Sequence, residues 1–328
     1  MSNAVHMTPG FIHVAPSDNG FKARMRFHQS WYREHKLSLE PGTNSSASDK
    51  NALYGSRLTV ADGEAGHNFL SDEIASVAKE HLKDDEGSAS EKAQSRLLCD
   101  MLSSQPMCFN LFGPLVLDLE LATRLVRALR GVPDDLEVIR VALEYAPEPA
   151  ADYLDDKTSH DAFVEYRRPN GDLGFIGIET KLTEPFTQHV YPFSQRYSRW
   201  ENEPGWWWVR GAADEHFTVK QYNQLWRNHL LTFSMLNQEP PAYSEAFAAV
   251  LYHDDDESCP KAMTKYREHL RAESHATLLD WPLSHVLEEW KKLLETSKHH
   301  AWFADFRLRY WDLDGSQMAW DVYQSEHA

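Results

Sequence analysis

Apolar and polar residues repeat with two different periods along the chain, and the change of period separates predicted helices from predicted strands. Apolar side chains recur every three or four residues in some segments, as in amphipathic helices, whereas other segments are short and β-branched. Helices are predicted over 93–102, 115–129, 219–236, 261–271 and 282–297, and strands over 137–145, 161–167, 173–181 and 246–252. Residues 303–311 fit either. The central order is therefore helix, three strands, helix, strand, with no internal repeat.

Loop-forming residues between these segments suggest how the chain is divided. Residues 1–23 contain Pro, Gly, Asn and Ser without periodicity and are predicted to be a flexible N-terminal arm. Residues 24–92 are predicted as an extension of short helices and loops packed on the core. The core itself is predicted over 93–252, and 253–328 as a C-terminal helical part of the same domain.

A short loop joins the second and third predicted strands. Pro169-Asn170-Gly171 suits a three-residue hairpin loop, a type I turn closed by a left-handed glycine. In that register Arg168 faces Asp172. Asp161 then falls directly opposite Glu179, with Cβ atoms about 5 Å apart. A two-residue Asn170-Gly171 turn would shift the register by one and separate the two acids.

The two faces of this predicted hairpin differ in character. The face opposite the acids carries Ala162, Val164, Tyr166, Ile176 and Ile178. It is apolar, as expected for a sheet face that packs on a helix. The acidic face is compatible with an exposed, solvated hairpin surface, but the glycine-rich, β-branched run before Glu179 favours a buried strand that emerges into a cleft.

Glu179-Thr180-Lys181 ends the third predicted strand and is the candidate chemical motif. Residues two apart on a strand share a face, so the carboxylate could hold a divalent metal beside an amine that steadies a nucleophile. The motif alone is weak, because a chain of this length should contain Glu-x-Lys about once by chance. Glu289-Trp290-Lys291 and Asp155-Asp156-Lys157 are two such copies, in a helical pattern and a polar loop.

Composition limits the class of protein further. The 328 residues carry a formal net charge of -17, which argues against nonspecific coating of nucleic acid but leaves a locally basic cleft open. The three cysteines lack CxxC spacing, so neither a disulfide framework nor a zinc knuckle is indicated. No apolar stretch long enough for a membrane span and no signal-peptide pattern are present. A soluble, cytoplasmic protein without a membrane partner is predicted.

The element order, with Asp161 and Glu179-Thr180-Lys181 on successive strands, resembles the PD-(D/E)XK nuclease superfamily over about residues 93–252. The stretches 104–112 and 224–231 are also similar to a bacterial nuclease-like branch. The resemblance implies an α/β fold with a restriction-endonuclease-like core, a mixed central sheet flanked by helices, here with helical N- and C-terminal additions. His160 stands where the superfamily name has Pro.

The resemblance implies metal-dependent hydrolysis of phosphodiester bonds. Asp161 and Glu179, helped by the Thr180 carbonyl, would bind Mg2+, with Mn2+ as a substitute. Lys181 would orient the attacking water or stabilise the transition state. Glu144, at the end of the first predicted strand, is a third candidate acid, with an ordinary strand-end acid as the alternative.

The helix predicted after the hairpin offers one more candidate. Gln221, Gln224 and Asn228 share a polar face three or four residues apart. Superfamily members often aim a glutamine from this helix at the catalytic strands, which makes Gln224 the predicted site residue. The alternative is a solvated helix face.

Nucleic acid is the predicted partner, with DNA favoured over RNA. A homodimer is compatible with this prediction, because enzymes that cut both strands often dimerise.

Two other functions remain as alternatives to a nuclease. A nuclease fold could serve as a catalytically silent binding or assembly module. Alternatively, Trp206-Trp207-Trp208 could stack on sugar rings or unpaired bases, and with paired carboxylates this keeps a glycoside hydrolase as the weaker rival. Hydrophobic cover is the competing role of these tryptophans.

Overall fold

A computed structural model describes residues 6–18, 20–44, 49–84, 91–186, 190–191, 195–217 and 220–327. The chain divides into two compact units, one formed by residues 1–114 with 294–328 and the other by residues 115–293. Within the described ranges, no helix combines the length and the apolar character needed to cross a membrane. The domain boundaries predicted from sequence do not coincide with these units and stay a prediction.

The first unit combines helices with a small antiparallel sheet. In chain order its elements are α1 (Gly20–Tyr32), a π-helical turn (Arg33–Leu37), β1 (Pro41–Thr43), β2 (Leu53–Leu58), α2 (Val60–Ala65), α3 (Asp72–Asp84), α4 (Glu91–Cys99) and the first part of α5 (Ser104–Leu117). β1 pairs with β2, and Ile12 bridges to Tyr54, so part of the predicted N-terminal arm is paired with β2. Two C-terminal helices, introduced below, complete the unit.

The second unit is built on one five-stranded sheet. It contains α6 (Leu119–Arg127), β3 (Glu137–Tyr145), β4 (His160–Arg167), β5 (Leu173–Lys181), α7 (Gln195–Ser198), α8 (Ala212–His216), α9 (Lys220–Leu236), β6 (Glu245–Tyr252), α10 (Ser258–Arg267), β7 (Leu278–Pro282) and α11 (Leu283–Lys291). The strand order is β3-β4-β5-β6-β7, antiparallel up to β5 and parallel from β5 to β7. The predicted α/β class with a mixed central sheet and flanking helices is confirmed.

The hairpin of β4 and β5 has the register predicted from its loop. Arg168 N donates to Asp172 O at 2.8 Å, and Gly171 N donates to Arg168 O at 2.9 Å, which closes a three-residue loop. Gly171 has φ of +93°, the left-handed conformation that a glycine adopts most readily. The ladder runs from the pair Arg167 and Leu173 to the pair Ala162 and Ile178, and Asp161 and Glu179 are the residues that follow its last pair on the two strands.

Helix α9 connects β5 to β6 and supplies the side chains that meet the hairpin. From Tyr222 to Met235 its described side chains are buried, except that of Gln224, which is partly exposed. Polar residues of this stretch therefore require partners inside the protein. The predicted helix began at Val219, which lies outside the described residues.

Three predicted elements differ from the structure for local reasons. Residues 115–129 were expected to form one helix, but α5 ends at Leu117 and α6 begins anew, because the Asp118 side chain caps it by accepting from Leu121 N at 2.8 Å. Residues 282–297 likewise split at the end of α11, and α12 (Ser297–Tyr310) begins with Thr296 as its cap. The ambiguous segment 303–311 is therefore almost entirely helical, and α13 (Gln317–His327) follows.

Helix α5 and strand β7 are among the elements that were absent from the prediction. Most of α5 is apolar on every side, so it shows no helical period against which a polar face could be recognised. Strand β7 has only five residues and contains Asp280, and it owes its place to parallel pairing with β6. Neither feature leaves a local signal.

Candidate active site

Glu179 is buried on β5 with both carboxylate oxygens hydrogen-bonded. Oε1 accepts from Gln224 Nε2 at 2.7 Å and lies 2.7 Å from Lys181 Nζ. Oε2 accepts from Asn228 Nδ2. Because Glu179 is only 5% exposed, these partners replace the water that a carboxylate needs. An exposed, solvated hairpin surface is excluded for this end of β5.

Lys181 shares the face of Glu179, as its two-residue spacing predicts. Besides its contact with Glu179, Nζ donates to Gln224 Oε1 at 3.1 Å and lies 5.2 Å from the ring centroid of Phe186. Burial on its own would lower the pKa of Lys181, but the carboxylates of Glu179 and Asp161 outweigh it and raise that pKa. The amine is therefore positively charged at neutral pH.

Asp161 lies on β4, directly before the last pair of the β4–β5 ladder. Its Oδ2 accepts from the Thr180 backbone N at 2.7 Å and from Thr180 Oγ1 at 2.9 Å. Burial raises the pKa of Asp161 well above its usual range, and the nearby charges of Glu179 and Glu144 raise it further, against the opposing effect of Lys181. Burial is thus the main cause of the raised pKa of Asp161, and the neighbouring acids are the second.

Glu144 lies on the strand next to Asp161. Leu143 pairs with Ala162 and Tyr145 with His160, which places Glu144 opposite Asp161 in the β3–β4 register. Its φ of +50° is left-handed, a conformation that costs a non-glycine residue about 1–3 kcal/mol. The structure thus brings Glu144 beside the acid pair, and its part in the chemistry stays a prediction.

Two amide side chains of α9 converge on Glu179. Gln224, chosen from the sequence, bonds both Glu179 and Lys181, and Asn228, one turn later, bonds the second carboxylate oxygen. Asn228 is 8% exposed, which excludes the solvated helix face considered as an alternative. The four-residue spacing from Gln224 was the signal for Asn228, but the sequence did not show that both amides would reach one carboxylate.

A second buried ion pair lies on the same helix. Arg227 Nη2 is 2.9 Å from Asp156 Oδ2, and Tyr197 donates to the same oxygen at 2.7 Å. Thr158 Oγ1 also donates to Asp156 at 2.6 Å. The guanidinium further stacks 3.7 Å from the ring centroid of Tyr191. Arg227 therefore ties the segment before β4 to α9.

The tryptophans of the connection between β5 and α9 are not displayed for stacking. Trp206, Trp207 and Trp208 are 5%, 7% and 0% exposed and pack around Phe233. Trp208 Nε1 donates to Tyr266 Oη at 2.6 Å. Hydrophobic cover is thus their structural role, and the glycoside hydrolase alternative loses its sugar-stacking surface.

The chance copies of the motif lie in other settings. Glu289-Trp290-Lys291 is helical within α11, with Trp290 buried between two charged residues. In Asp155-Asp156-Lys157 the middle acid is occupied by Arg227. Glu179-Thr180-Lys181 differs from both because its acid and amine share a buried strand face, and the middle residue binds a second acid, Asp161.

The donor set at the hairpin is suited to a hard divalent cation. Among the described residues, no group of three or more His, Cys, Asp or Glu side chains is arranged as a metal site. Mg2+, however, is commonly held by one or two carboxylates with water and substrate phosphate. Asp161 and Glu179 offer such oxygens, and Thr180 between Glu179 and Lys181 adds a backbone carbonyl. The residues present therefore fit a divalent metal.

Comparison with known proteins agrees with this geometry. A family model described as the PD-(D/E)XK nuclease superfamily matches residues 16–312. No curated protein and no solved structure matches the chain significantly. The matched region includes the hairpin, α9 and all five strands of the central sheet, consistent with a restriction-endonuclease-like fold. The chain therefore belongs to the PD-(D/E)XK nuclease superfamily.

Proposed function

We propose that the protein is a metal-dependent nuclease that hydrolyses phosphodiester bonds, with DNA as its substrate and Mg2+ as its metal. The observation that supports the proposal is the cluster at the end of the hairpin, where Lys181 Nζ lies 2.7 Å from Glu179 and Asp161 accepts from the Thr180 backbone N at 2.7 Å. Membership of a superfamily whose nucleases generally use divalent metals supports the same reading.

In this proposal Asp161, Glu179 and the Thr180 carbonyl hold the cation. A bound divalent ion supplies Lewis acidity, which lowers the pKa of water and offsets charge on the phosphate. Lys181, kept charged by the two acids, orients the nucleophilic water or stabilises the growing negative charge. Glu144 adds negative charge beside Asp161.

Gln224 and Asn228 act as positioning residues for Glu179 and Lys181. Their amides are neutral donors, so they hold the carboxylate without cancelling its charge. Gln224 also accepts from Lys181, which fixes the amine relative to the acid. A site held in this way loses little freedom when substrate arrives.

The silent binding module is favoured by one observation. Lys181, Gln224 and Asn228 together occupy both oxygens of Glu179, so binding a cation there requires this acid to exchange or share a partner. A module without turnover would leave these contacts in place. Metal binding and cleavage therefore have to be measured separately.

The proposal is tested by incubating supercoiled, linear and single-stranded DNA, and RNA, with Mg2+, Mn2+ or EDTA. We expect metal-dependent cleavage of DNA that is lost in Lys181→Ala and in Asp161→Asn. The matched control is Lys291→Ala, which removes the exposed lysine of the helical Glu-x-Lys copy and should cleave normally.

The outcomes separate the alternatives. Cleavage retained in both site variants would contradict the proposed site and indicate a contaminant or another centre. Nucleic-acid binding by the wild-type protein without cleavage under any metal would support the silent module. Cleavage of RNA alone would contradict DNA as the substrate.

A further inference from the structure

His160, the residue immediately before Asp161, places its imidazole over a glycine of the neighbouring strand. A Cβ atom at Gly177 would lie 2.4 Å from Cε1 and 2.5 Å from Nδ1 of the ring, closer than side chains pack. His160 is 1% exposed, and its ring lies beside Phe163 with centroids 6.5 Å apart. Gly177 is therefore a glycine because the imidazole occupies the space of its missing side chain.

This contact requires the start of β4 to bend. The partner of Gly177 in the ladder is Phe163, three residues beyond His160, whereas a straight continuation would place His160 opposite Thr180. Three extended residues span about 10 Å, and a straight continuation would also direct the His160 side chain to the face opposite that of a Gly177 side chain. His160 still pairs with Tyr145 of β3, so the bend that we infer is relative to β5. Consistent with a bend, the β4–β5 ladder ends at Ala162.

Asp161 lies at this bend. On one side Ala162 belongs to the ladder, and on the other the ring of His160 rests on Gly177. The Thr180 N–H donates to the Asp161 carboxylate at 2.7 Å. The position of that carboxylate thus depends on the geometry of the bend.

We propose that His160 is a positioning residue, and that its imidazole, seated on Gly177, fixes the bend that holds Asp161 against Thr180 and opposite Glu179. This inference rests on the proposed function for the use of Asp161 as a metal ligand. Its structural part, the restraint on the Asp161–Thr180 contact, can be measured without metal.

The restraint is one of shape. No described residue forms a hydrogen bond with His160 Nε2. On that side the ring is therefore restrained by packing contacts. Any side chain at Gly177 must displace the ring, and removing the ring leaves the glycine uncovered. The two positions should therefore compensate for one another.

The same hairpin contains a matched control. A Cβ atom at Gly174 would lie 2.5 Å from Cζ and Oη of Tyr166, its direct cross-strand partner. This ring also covers a glycine of β5, but it lies on the face opposite Glu179 and toward the hairpin loop. Gly174→Ala therefore introduces a similar clash between a methyl group and a ring, but at a position away from Asp161.

The experiment compares Gly177→Ala, Gly174→Ala, His160→Ala and the double variant His160→Ala/Gly177→Ala. Hydrogen exchange at the Thr180 amide is measured in EDTA, and Mn2+ affinity is measured by titration calorimetry on metal-free protein. We expect faster Thr180 exchange and about tenfold weaker Mn2+ binding in Gly177→Ala and His160→Ala, as for other supports of metal ligands. Gly174→Ala should leave both readouts close to those of the wild type.

The double variant provides a test that remains informative if Gly177→Ala folds poorly. Its alanine methyl group occupies space vacated by the imidazole, so Thr180 exchange should be slower than in His160→Ala. The inference is overturned if Thr180 exchange is unchanged in His160→Ala and the double variant, or if Gly174→Ala alters it as much as Gly177→Ala. A wild-type protein that binds no Mn2+ would instead overturn the proposed metal site, with Thr180 exchange still deciding the role of His160.

Discussion

Gln224 of α9 donates from Nε2 to Oε1 of Glu179 on β5 at 2.7 Å, so the helix and the strand are joined directly at the proposed site. The same amide accepts from Lys181, and a second amide one turn later donates to the other oxygen. The acid and the amine are thereby held before substrate or metal arrives. This arrangement makes α9 part of the proposed site as well as part of the core.

Asn228→Ala should weaken both the fold and the metal site. Hydrogen bonds to charged groups contribute about 1.5–3 kcal/mol, so we expect the free energy of unfolding to fall by about 2 kcal/mol in urea denaturation. Mn2+ affinity should fall about tenfold. Asn237→Ala is the control, because that amide donates to Phe233 O at 2.9 Å at the end of the same helix. Equal loss of Mn2+ affinity in both variants would contradict the role assigned to Asn228.

Asp161→Asn should stabilise the metal-free protein increasingly as the pH rises. Burial, followed by the charges of Glu179 and Glu144, raises the pKa of Asp161. The contribution of Asp161 to the free energy of unfolding is therefore complete below its unfolded pKa of about 3.9 and is lost as the pH rises through its folded pKa. The variant has no such loss. Unfolding free energies in EDTA from pH 5 to 8 check this, and a difference that does not grow with pH would refute it.

Asp156→Asn should show the opposite dependence. Burial acts to raise the pKa of Asp156, but Arg227 and hydrogen bonds from Thr158 and Tyr197 outweigh it and lower the pKa. Its contribution is therefore present above the unfolded pKa and lost as the pH falls through the folded one. We expect a loss of about 3 kcal/mol at neutral pH that shrinks in acid, measured by urea unfolding. A loss that persists undiminished in strong acid would argue against this ion pair as its source.

Glu144→Gly should separate backbone strain from charge. A glycine adopts the left-handed φ of +50° without strain, and this gain exceeds the conformational entropy that a glycine loses on folding. The free energy of unfolding of Glu144→Gly should therefore be about 1 kcal/mol higher than that of Glu144→Gln. Both variants remove the carboxylate, and both should weaken Mn2+ binding if Glu144 contributes charge to the site. Unchanged Mn2+ affinity in both would place Glu144 outside the site.

Local sequence was sufficient for the hairpin and its register. Pro169-Asn170-Gly171 specifies a three-residue loop because its glycine can adopt the left-handed turn conformation, and strand periodicity then carries that register to the pair Ala162 and Ile178, next to the two acids. The bounds predicted for β3 and β5 match those observed. Residues close in sequence account for these features, so the local amino-acid sequence was enough to predict them.

Contacts between distant segments were outside the reach of the sequence pattern. The convergence of Gln224 and Asn228 on Glu179 depends on how α9 lies across β5, and the seat of His160 on Gly177 depends on a bend that no local signal marks. Strand β7 likewise exists through its pairing with β6. Periodicity reports which face of an element is apolar, but the partners of that face are set by packing, which minimises the free energy of the whole fold.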